Sequence, residues 1–204
     1  MKIRNILLAL SLALLSFSFA ASAQKKAPTH AGKSLVVYYS RTGQNYGVGD
    51  IKEGNTAVVA RMIADATGAD LFEVRPRKEY PADYTQCTKV ARAEKDSNAR
   101  PDILADHATE AYDTIYIGYP VWWGDAPMPL YTFIGKHDWK GKTIVPFCTH
   151  EGSGLSGTRE IAAACKGANM LPGLAVKGTV AQNERDKARE LVKAWLIKNN
   201  IAKK

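Results

Sequence analysis

Five short apolar runs recur along this chain, each followed by a polar or glycine-rich segment and then by residues with helical spacing. The runs occupy residues 35–39 (Leu-Val-Val-Tyr-Tyr), 71–74, 114–119, 143–148 and 174–176. A strand with one face in water alternates apolar and polar residues. An unbroken apolar run of this length instead suits a strand buried on both faces, as in a parallel sheet. Between the runs the spacing changes to that of helices. In residues 56–66 the apolar positions are Val58, Val59, Met62, Ile63 and Ala66, with Asn55 or Thr56 as the expected N-cap and Gly68 as the expected C′ residue. Further helices are expected over 83–97 (inner face Tyr84, Cys87, Val90 and Ala91), 129–135, 156–166 and 183–199 (Ala188, Leu191, Val192, Trp195 and Leu196). Strands alternating with helices place helices on both faces of one sheet. The expected fold is therefore α/β, a doubly wound three-layer sandwich around a five-stranded parallel sheet.

The N-terminus stands apart from this pattern. Lys2 and Arg4 precede an apolar stretch over 6–20, and Ala21-Ser22-Ala23 has the small-x-small form of a signal-peptidase site. The apolar stretch is shorter than the ~20 residues a spanning helix needs. Residues 1–23 are thus expected to be a secretory signal, 24–33 a flexible leader and 34–204 one domain, exported to the periplasm or secreted, with no membrane span after cleavage. The first 23 residues hold two basic and no acidic groups, so removing them lowers the formal charge from +8 to +6. The basic residues form no dense cluster, which argues against nucleic acid as a partner. Cys87, Cys148 and Cys165 are an odd set without a Cys-x-x-Cys pair, and are expected to be buried free thiols.

In open α/β sheets ligands bind beyond the carboxyl ends of the strands, so the segments after each run carry the functional reading. After the first come Ser40, Arg41, Thr42 and Gly43, with Asn55 and Thr56 opening the next helix. Hydroxyls and glycine before a helix N-terminus make an anion cradle, although an ordinary βα turn uses the same residues. After the third run comes Pro120-Val121-Trp122-Trp123-Gly124. Adjacent tryptophans in such a loop offer a surface for a flat ligand; one is expected at the ligand and the other partly in the core. After the fourth comes Thr149-His150-Glu151-Gly152-Ser153-Gly154, whose glycines leave N–H groups for ligand carbonyls. His150 lies either near the ligand's ring or on a surface loop.

These segments give the chain a specific resemblance. With Gly-Tyr-Pro-x-Trp-Trp-Gly over 118–124 and Phe-Cys-Thr-His-x-Gly-Ser-Gly over 147–154, it resembles the flavodoxin-like family, in its bacterial exported branch. The resemblance implies strand order 2-1-3-4-5 and FMN as cofactor. Ser40, Thr42, Gly43, Asn55 and Thr56 would hold the phosphate, residues 120–124 would line one side of the isoalloxazine, and residues 149–154 its pyrimidine edge and other face. Residues 44–54 intervene in the phosphate loop, so Asn45 competes with Asn55, and the insertion could fold as a flap over the cofactor. The charge is basic where many flavodoxins are acidic, so docking to a reductase through an acidic surface is not expected.

The resulting expectation is an FMN-binding flavoprotein acting in electron transfer or in reduction of a small acceptor such as a quinone, with an unidentified redox partner. The alternative is an exported binding protein of the same fold without redox activity. A hydrolase is disfavoured because Gly154-Leu155-Ser156-Gly157-Thr158 lacks the last glycine of a nucleophile elbow. A nucleoside triphosphatase is disfavoured because Gly141-Lys142-Thr143 precedes a strand, where a P-loop follows one. No residue stands out as a catalytic acid or nucleophile, and no metal site is expected.

Overall fold

A computed structural model describes residues 32–201; the expected signal segment, nearly all of the leader and the last three residues lie outside them. The central strand β1 (Ser34–Tyr38) lies between β4 (Asp70–Glu73) and β5 (Thr114–Pro120), and β5 pairs in turn with β6 (Thr143–His150). All these pairings are parallel. The far edge is shared by β7 (Asn169–Met170) and β8 (Leu174–Lys177), both parallel to β6. The expected order and the parallel sheet are both observed.

The unbroken apolar runs are explained by two cores, one on each face. Along the strands, residues alternate between them, as the two-residue period of a strand requires. Val36, Tyr38, Tyr116, Val145, Phe147 and Val176 pack under α1 (Asn55–Thr67) and α6 (Arg185–Lys198). Leu35, Val37, Ile115, Ile117, Tyr119, Ile144 and Cys148 pack under α3 (Met128–Ile134) and α4 (Thr158–Ala164). Each fully buried aliphatic side chain contributes roughly 1.5–3 kcal/mol relative to exposure. All three cysteines are buried free thiols.

Several element ends depart from the sequence reading, each for a local reason. The N-cap of α1 is Gly54, not Asn55 or Thr56, and it makes no side-chain cap bond. The expected closing helix, 183–199, is α6; a short helix that the sequence reading did not anticipate, α5 (Gly178–Asn183), precedes it, and the two are separated at Glu184, whose φ of −131° is not helical. Leu191 lies beside the inward stripe of α6 and is exposed, as are Tyr84 and Val90 on α2 (Tyr84–Asp96). Only Cys87 and Ala91 of α2 are buried. The fifth strand is interrupted: Ile144 faces Met170 but Phe147 faces Leu174, so one extra residue is accommodated across Leu171-Pro172-Gly173. Trp195 Nε1 and Asn199 Nδ2 on α6 both donate to the Pro172 carbonyl, at 2.8 and 3.1 Å. Among the described residues no helix is long and apolar enough to cross a membrane.

Candidate functional site

The carboxyl ends of β1, β5 and β6 are adjacent, and the three segments singled out in the sequence meet there. After β1 the chain turns tightly back on itself. Ser40 Oγ accepts the N–H of Ala57 at 3.0 Å, supplying from the strand end the cap that α1's own residues do not provide. A Cβ on Gly54 would collide with Ser40 Oγ and lie 2.6 Å from the Arg41 carbonyl and 2.9 Å from its nitrogen. The 40–43 turn and the start of α1 therefore form one closed loop. Among the described residues the N–H groups of Arg41, Thr42, Asn55 and Thr56 have no acceptor, and Thr42 is exposed. Unpaired amides at the start of a 13-residue helix are the type of donor set that can receive an anion.

The insertion is an antiparallel hairpin, β2 (Gly43–Asn45) and β3 (Gly49–Ile51). Its base is held toward α2: the Arg41 guanidinium donates to the carbonyls of Gln44, Pro81 (2.8 Å) and Ala82 (2.7 Å), and Tyr84 N–H donates to Gln44 Oε1 at 3.2 Å. The tip reaches the other way, with the Cβ position of Gly47 only 2.9 Å from Glu151 Cδ. The hairpin thus spans from α2 to the loop after β6. Asn55, not Asn45, stands at the start of α1, but its side-chain oxygen accepts from Gln182 Nε2 at 2.9 Å and so faces α5. Asn45 folds onto its own hairpin, donating to the Gly43 carbonyl at 3.0 Å.

After β5, Val121 N–H donates to the Thr149 carbonyl at 2.8 Å and extends the sheet by one residue past Pro120. Trp122 and Asp125 then close a two-residue turn in which Trp123 (φ 53°) and Gly124 (φ 79°) both have positive φ. This is the type I′ pattern. A tryptophan in that conformation costs of order 1–3 kcal/mol and persists only where its surroundings impose it. The turn is imposed from both sides. Buried Asp125 accepts from Ala126 N–H (2.7 Å) and the Tyr131 hydroxyl (2.6 Å). Trp123 donates through Nε1 to the Thr88 carbonyl at 3.0 Å, its own carbonyl accepts from Lys95, and the Arg92 guanidinium lies 5.0 Å from its ring centre. Trp122 is half-buried and packs edge-on against Tyr39 (5.4 Å) and Tyr80 (5.0 Å), whereas Trp123 keeps 49% of its surface exposed. Burial raises the Tyr39 and Tyr80 phenols well above their ordinary value, with Glu94 adding to the effect at Tyr80. Both are neutral aromatic walls at physiological pH and poor proton donors.

After β6, buried Thr149 shares a 2.8 Å hydrogen bond with the Thr56 hydroxyl, joining this strand end to the start of α1. Glu151 turns away from the strand tips and accepts from Thr179 N–H at 2.7 Å. Gly152 and Ser153 are exposed. His150 organises the loop: its Nδ1 accepts from the N–H groups of both Gly152 and Gly154, each at 3.1 Å. Only the neutral ring with its proton on Nε2 can do this. Burial lowers the pKa of His150 and Lys177 lowers it further, against an opposing effect of Glu151. The unfolded chain therefore takes up a proton at higher pH than the folded one. The two bonds are fully present above about pH 6.5 and are lost as pH falls through the lower folded-state value. Hydrogen exchange of the Gly152 and Gly154 amides, corrected for intrinsic rate, is expected to lose protection as the pH is lowered from 7.5 through the folded-state value of His150. In His150→Ala the protection should be low and flat; a flat profile in the wild type would refute this role.

A pocket of about 400 Å³ opens between the hairpin, α2 and the tryptophan turn. Its walls include Trp122, Trp123 and Val121, but also Tyr84, Cys87, Thr88 and Ala91 of α2, which the sequence reading assigned to core or left unassigned. Their signal was the i, i+3, i+4, i+7 spacing of 84, 87, 88 and 91 on an otherwise polar helix. A second, more polar pocket of about 380 Å³ adjoins Ser40, Thr42 and Gly43 on the side of β4. Among the described residues no cluster of His, Cys, Asp or Glu could hold a metal ion.

The family model described as flavodoxin matches residues 33–198. Among solved structures, a candidate flavoprotein from Bacteroides eggerthii has a TM-score of 0.67 at 28% identity, covering 84% of this chain and 99% of its own. A second candidate flavoprotein, from Bacteroides uniformis, has a TM-score of 0.62 at 32% identity, with coverage of 79% and 98%. A flavoprotein from Lactobacillus acidophilus in complex with FMN has a TM-score of 0.56 at 25% identity, with coverage of 77% and 98%. Among curated proteins none matches.

Proposed function

Since this chain belongs to the flavodoxin family, we propose that it is a flavoprotein that holds FMN at the joined ends of β1, β5 and β6 and uses it in electron transfer or in reduction of a small acceptor. The observation that carries the reading is the closed loop of Ser40, Arg41 and Gly54 around the unpaired amides of α1. A phosphate dianion fits there. The helix end is positive, hydroxyls of Ser40 and Thr42 are at hand, and no carboxylate occurs among residues 40–43 or 54–56. The Lactobacillus protein, which is crystallised with FMN, supports the same cofactor here.

In this reading the Arg41, Thr42, Asn55 and Thr56 amides bind the phosphate and fix the position of the rest of the molecule. The turn Pro120-Val121-Trp122-Trp123-Gly124 walls the isoalloxazine on one side. Residues 149–154, braced by His150 and by the Thr56–Thr149 bond, form the other side. The hairpin, lying between α2 and Glu151, excludes water from the slot. FMN supplies the redox chemistry, and the protein sets its position and electrostatic surroundings. The thiols take no part as nucleophiles: burial raises Cys87, and lifts Cys148 to about 11 and Cys165 to about 12.

Titration of the purified protein with FMN, followed by quenching of flavin fluorescence, is expected to give a Kd of about 1 μM or tighter, near −8 kcal/mol. Binding only in the millimolar range would sink the proposal and favour a binding protein without redox activity.

A further inference from the structure

We propose that the β2–β3 hairpin is a hinged lid that must lift for FMN to enter or leave, and that the seating of Gly47 on Glu151 is its closed position. The inference rests on the FMN reading above and concerns the regulation of that site: the hairpin sets how fast the cofactor exchanges. Because it spans from α2 to the loop after β6, it crosses the mouth of the slot that those elements border. Asn45 stands in one wall together with Trp122 and Trp123. A flat molecule held between the tryptophan turn and residues 149–154 has this hairpin across its exit.

Three observations make the hairpin movable. It has no anchor in either core: it forms a two-stranded sheet of its own, and none of residues 43–51 is buried. Segments with so few buried contacts open at little cost. Its bonds to the body are also confined to the base of its first strand. Arg41 donates to the Gln44 carbonyl, Tyr84 N–H donates to Gln44 Oε1 at 3.2 Å, and Asn45 Nδ2 reaches the Arg41 carbonyl at 3.4 Å. Among the described residues no hydrogen bond joins residues 46–51 to anything outside the hairpin. Tyr46 stacks on Tyr84 at 6.3 Å yet stays 68% exposed, and the tip meets Glu151 by contact alone. Finally, the chain is fixed on both sides of the hairpin. Before it, the Arg41 guanidinium holds the carbonyls of Pro81 and Ala82. After it, Glu53 pairs with Arg61 and, at 3.2 Å, with Arg185, and its carbonyl accepts from Gln182 at 2.7 Å. Motion is thereby confined to the segment between, with left-handed Gly43 (φ 76°) at the hinge. The seat is rigid as well, since the Glu151 carboxylate accepts both the N–H and the hydroxyl of Thr179, at 2.7 and 3.2 Å.

The experiment locks the lid and then removes it. The Cβ position of Gly47 lies 3.0 Å from Glu151 Cγ, close enough for Gly47→Cys and Glu151→Cys together to form a disulfide on oxidation with diamide. The three native thiols are buried and their pKa values are raised, so they do not compete. FMN uptake and release are followed by flavin fluorescence in the oxidised and reduced forms of this one double variant. The strain of a side chain at Gly47 (φ 79°) is then common to both arms. Oxidised apoprotein should take up FMN at least tenfold more slowly than reduced, and protein oxidised after loading should release it at least tenfold more slowly. In a second variant two glycines replace residues 44–50, a two-residue link between the paired Gly43 and Ile51. It should melt cooperatively and release FMN at least tenfold faster than wild type. Equal rates in the oxidised and reduced forms, wild-type release from a folded deletion variant, or failure of the disulfide to form overturns the proposal. Should the deletion variant not fold, the locked pair decides alone. Should no form bind FMN, the cofactor reading fails and amide exchange of residues 44–50 decides the lid: at least tenfold slower exchange in the oxidised form supports it, and equal exchange overturns it.

Discussion

Gly54→Val is expected to weaken FMN binding at least 100-fold, a loss of about 2.8 kcal/mol at 1.4 kcal/mol per decade. The backbone of Gly54, at φ −67° and ψ 147°, is open to any residue, so the requirement for glycine is one of space alone. Any Cβ there runs into Ser40 Oγ and into the carbonyl and nitrogen of Arg41 at 2.6 and 2.9 Å. Two of these three atoms are backbone and cannot rotate away, so the turn must open. Opening it pulls the Ser40 hydroxyl off Ala57 N–H, removing a helix cap worth about 1 kcal/mol. It also separates the Arg41 and Thr42 amides from those of Asn55 and Thr56, which must converge on one anion. Gly54→Ala should show the same defect in milder form. The measurement is a fluorescence titration of both variants against wild type. Wild-type affinity in Gly54→Val would show that the phosphate is held elsewhere.

The largest stability effect is expected in the middle of the sheet. Gly118 on β5 pairs directly with Phe147 on β6, and the Phe147 ring lies over the glycine with its Cε atoms 2.5 and 2.6 Å from the Cβ position. The ring fills the space a side chain would occupy and is fully buried. Gly118→Ala forces it into a core that has no slack, an overpacking cost of about 3 kcal/mol. At about 2–4 °C per kcal/mol for a chain of this size, Tm should fall by about 6–12 °C. Phe147→Leu alone leaves a void and should also destabilise. Combined, the two changes should partly cancel, because the smaller leucine makes room for the methyl group, giving a coupling energy of about 1 kcal/mol or more in a double-mutant cycle. Strictly additive Tm losses would mean that the ring relaxes freely and that the close approach carries no energetic weight.

The architecture was legible because β1, β5 and β6 are buried on both faces, and only an unbroken apolar run satisfies that environment. The same logic located the strand ends and hence the three loops. What the sequence withheld depends on partners distant along the chain. Residues 44–54 carry no strand-like alternation. Their hairpin is fixed by Arg41 reaching the carbonyls of Pro81 and Ala82 and by Gly47 resting on Glu151. The cap of α1 comes from Ser40 on the preceding strand end, so a search among adjacent residues pointed to Asn55 or Thr56 instead. The stripe on α2 reads as a core face by spacing, yet it faces a pocket because the tryptophan turn, and no sheet surface, lies opposite it. The positive φ of Trp123 has no local signature at all; the turn exists because Asp125, Lys95 and the Thr88 carbonyl fasten its two ends.

The interrupted fifth strand bears on how the molecule behaves in a crowded solution. An uncovered sheet border is a template onto which a neighbouring molecule can add a strand. Here that border is two short pieces, and between them stands a proline with no N–H to offer. The proline's carbonyl is already occupied by Trp195 and Asn199. A chain approaching this border from outside therefore meets a broken ladder, which makes it a poor template for strand addition.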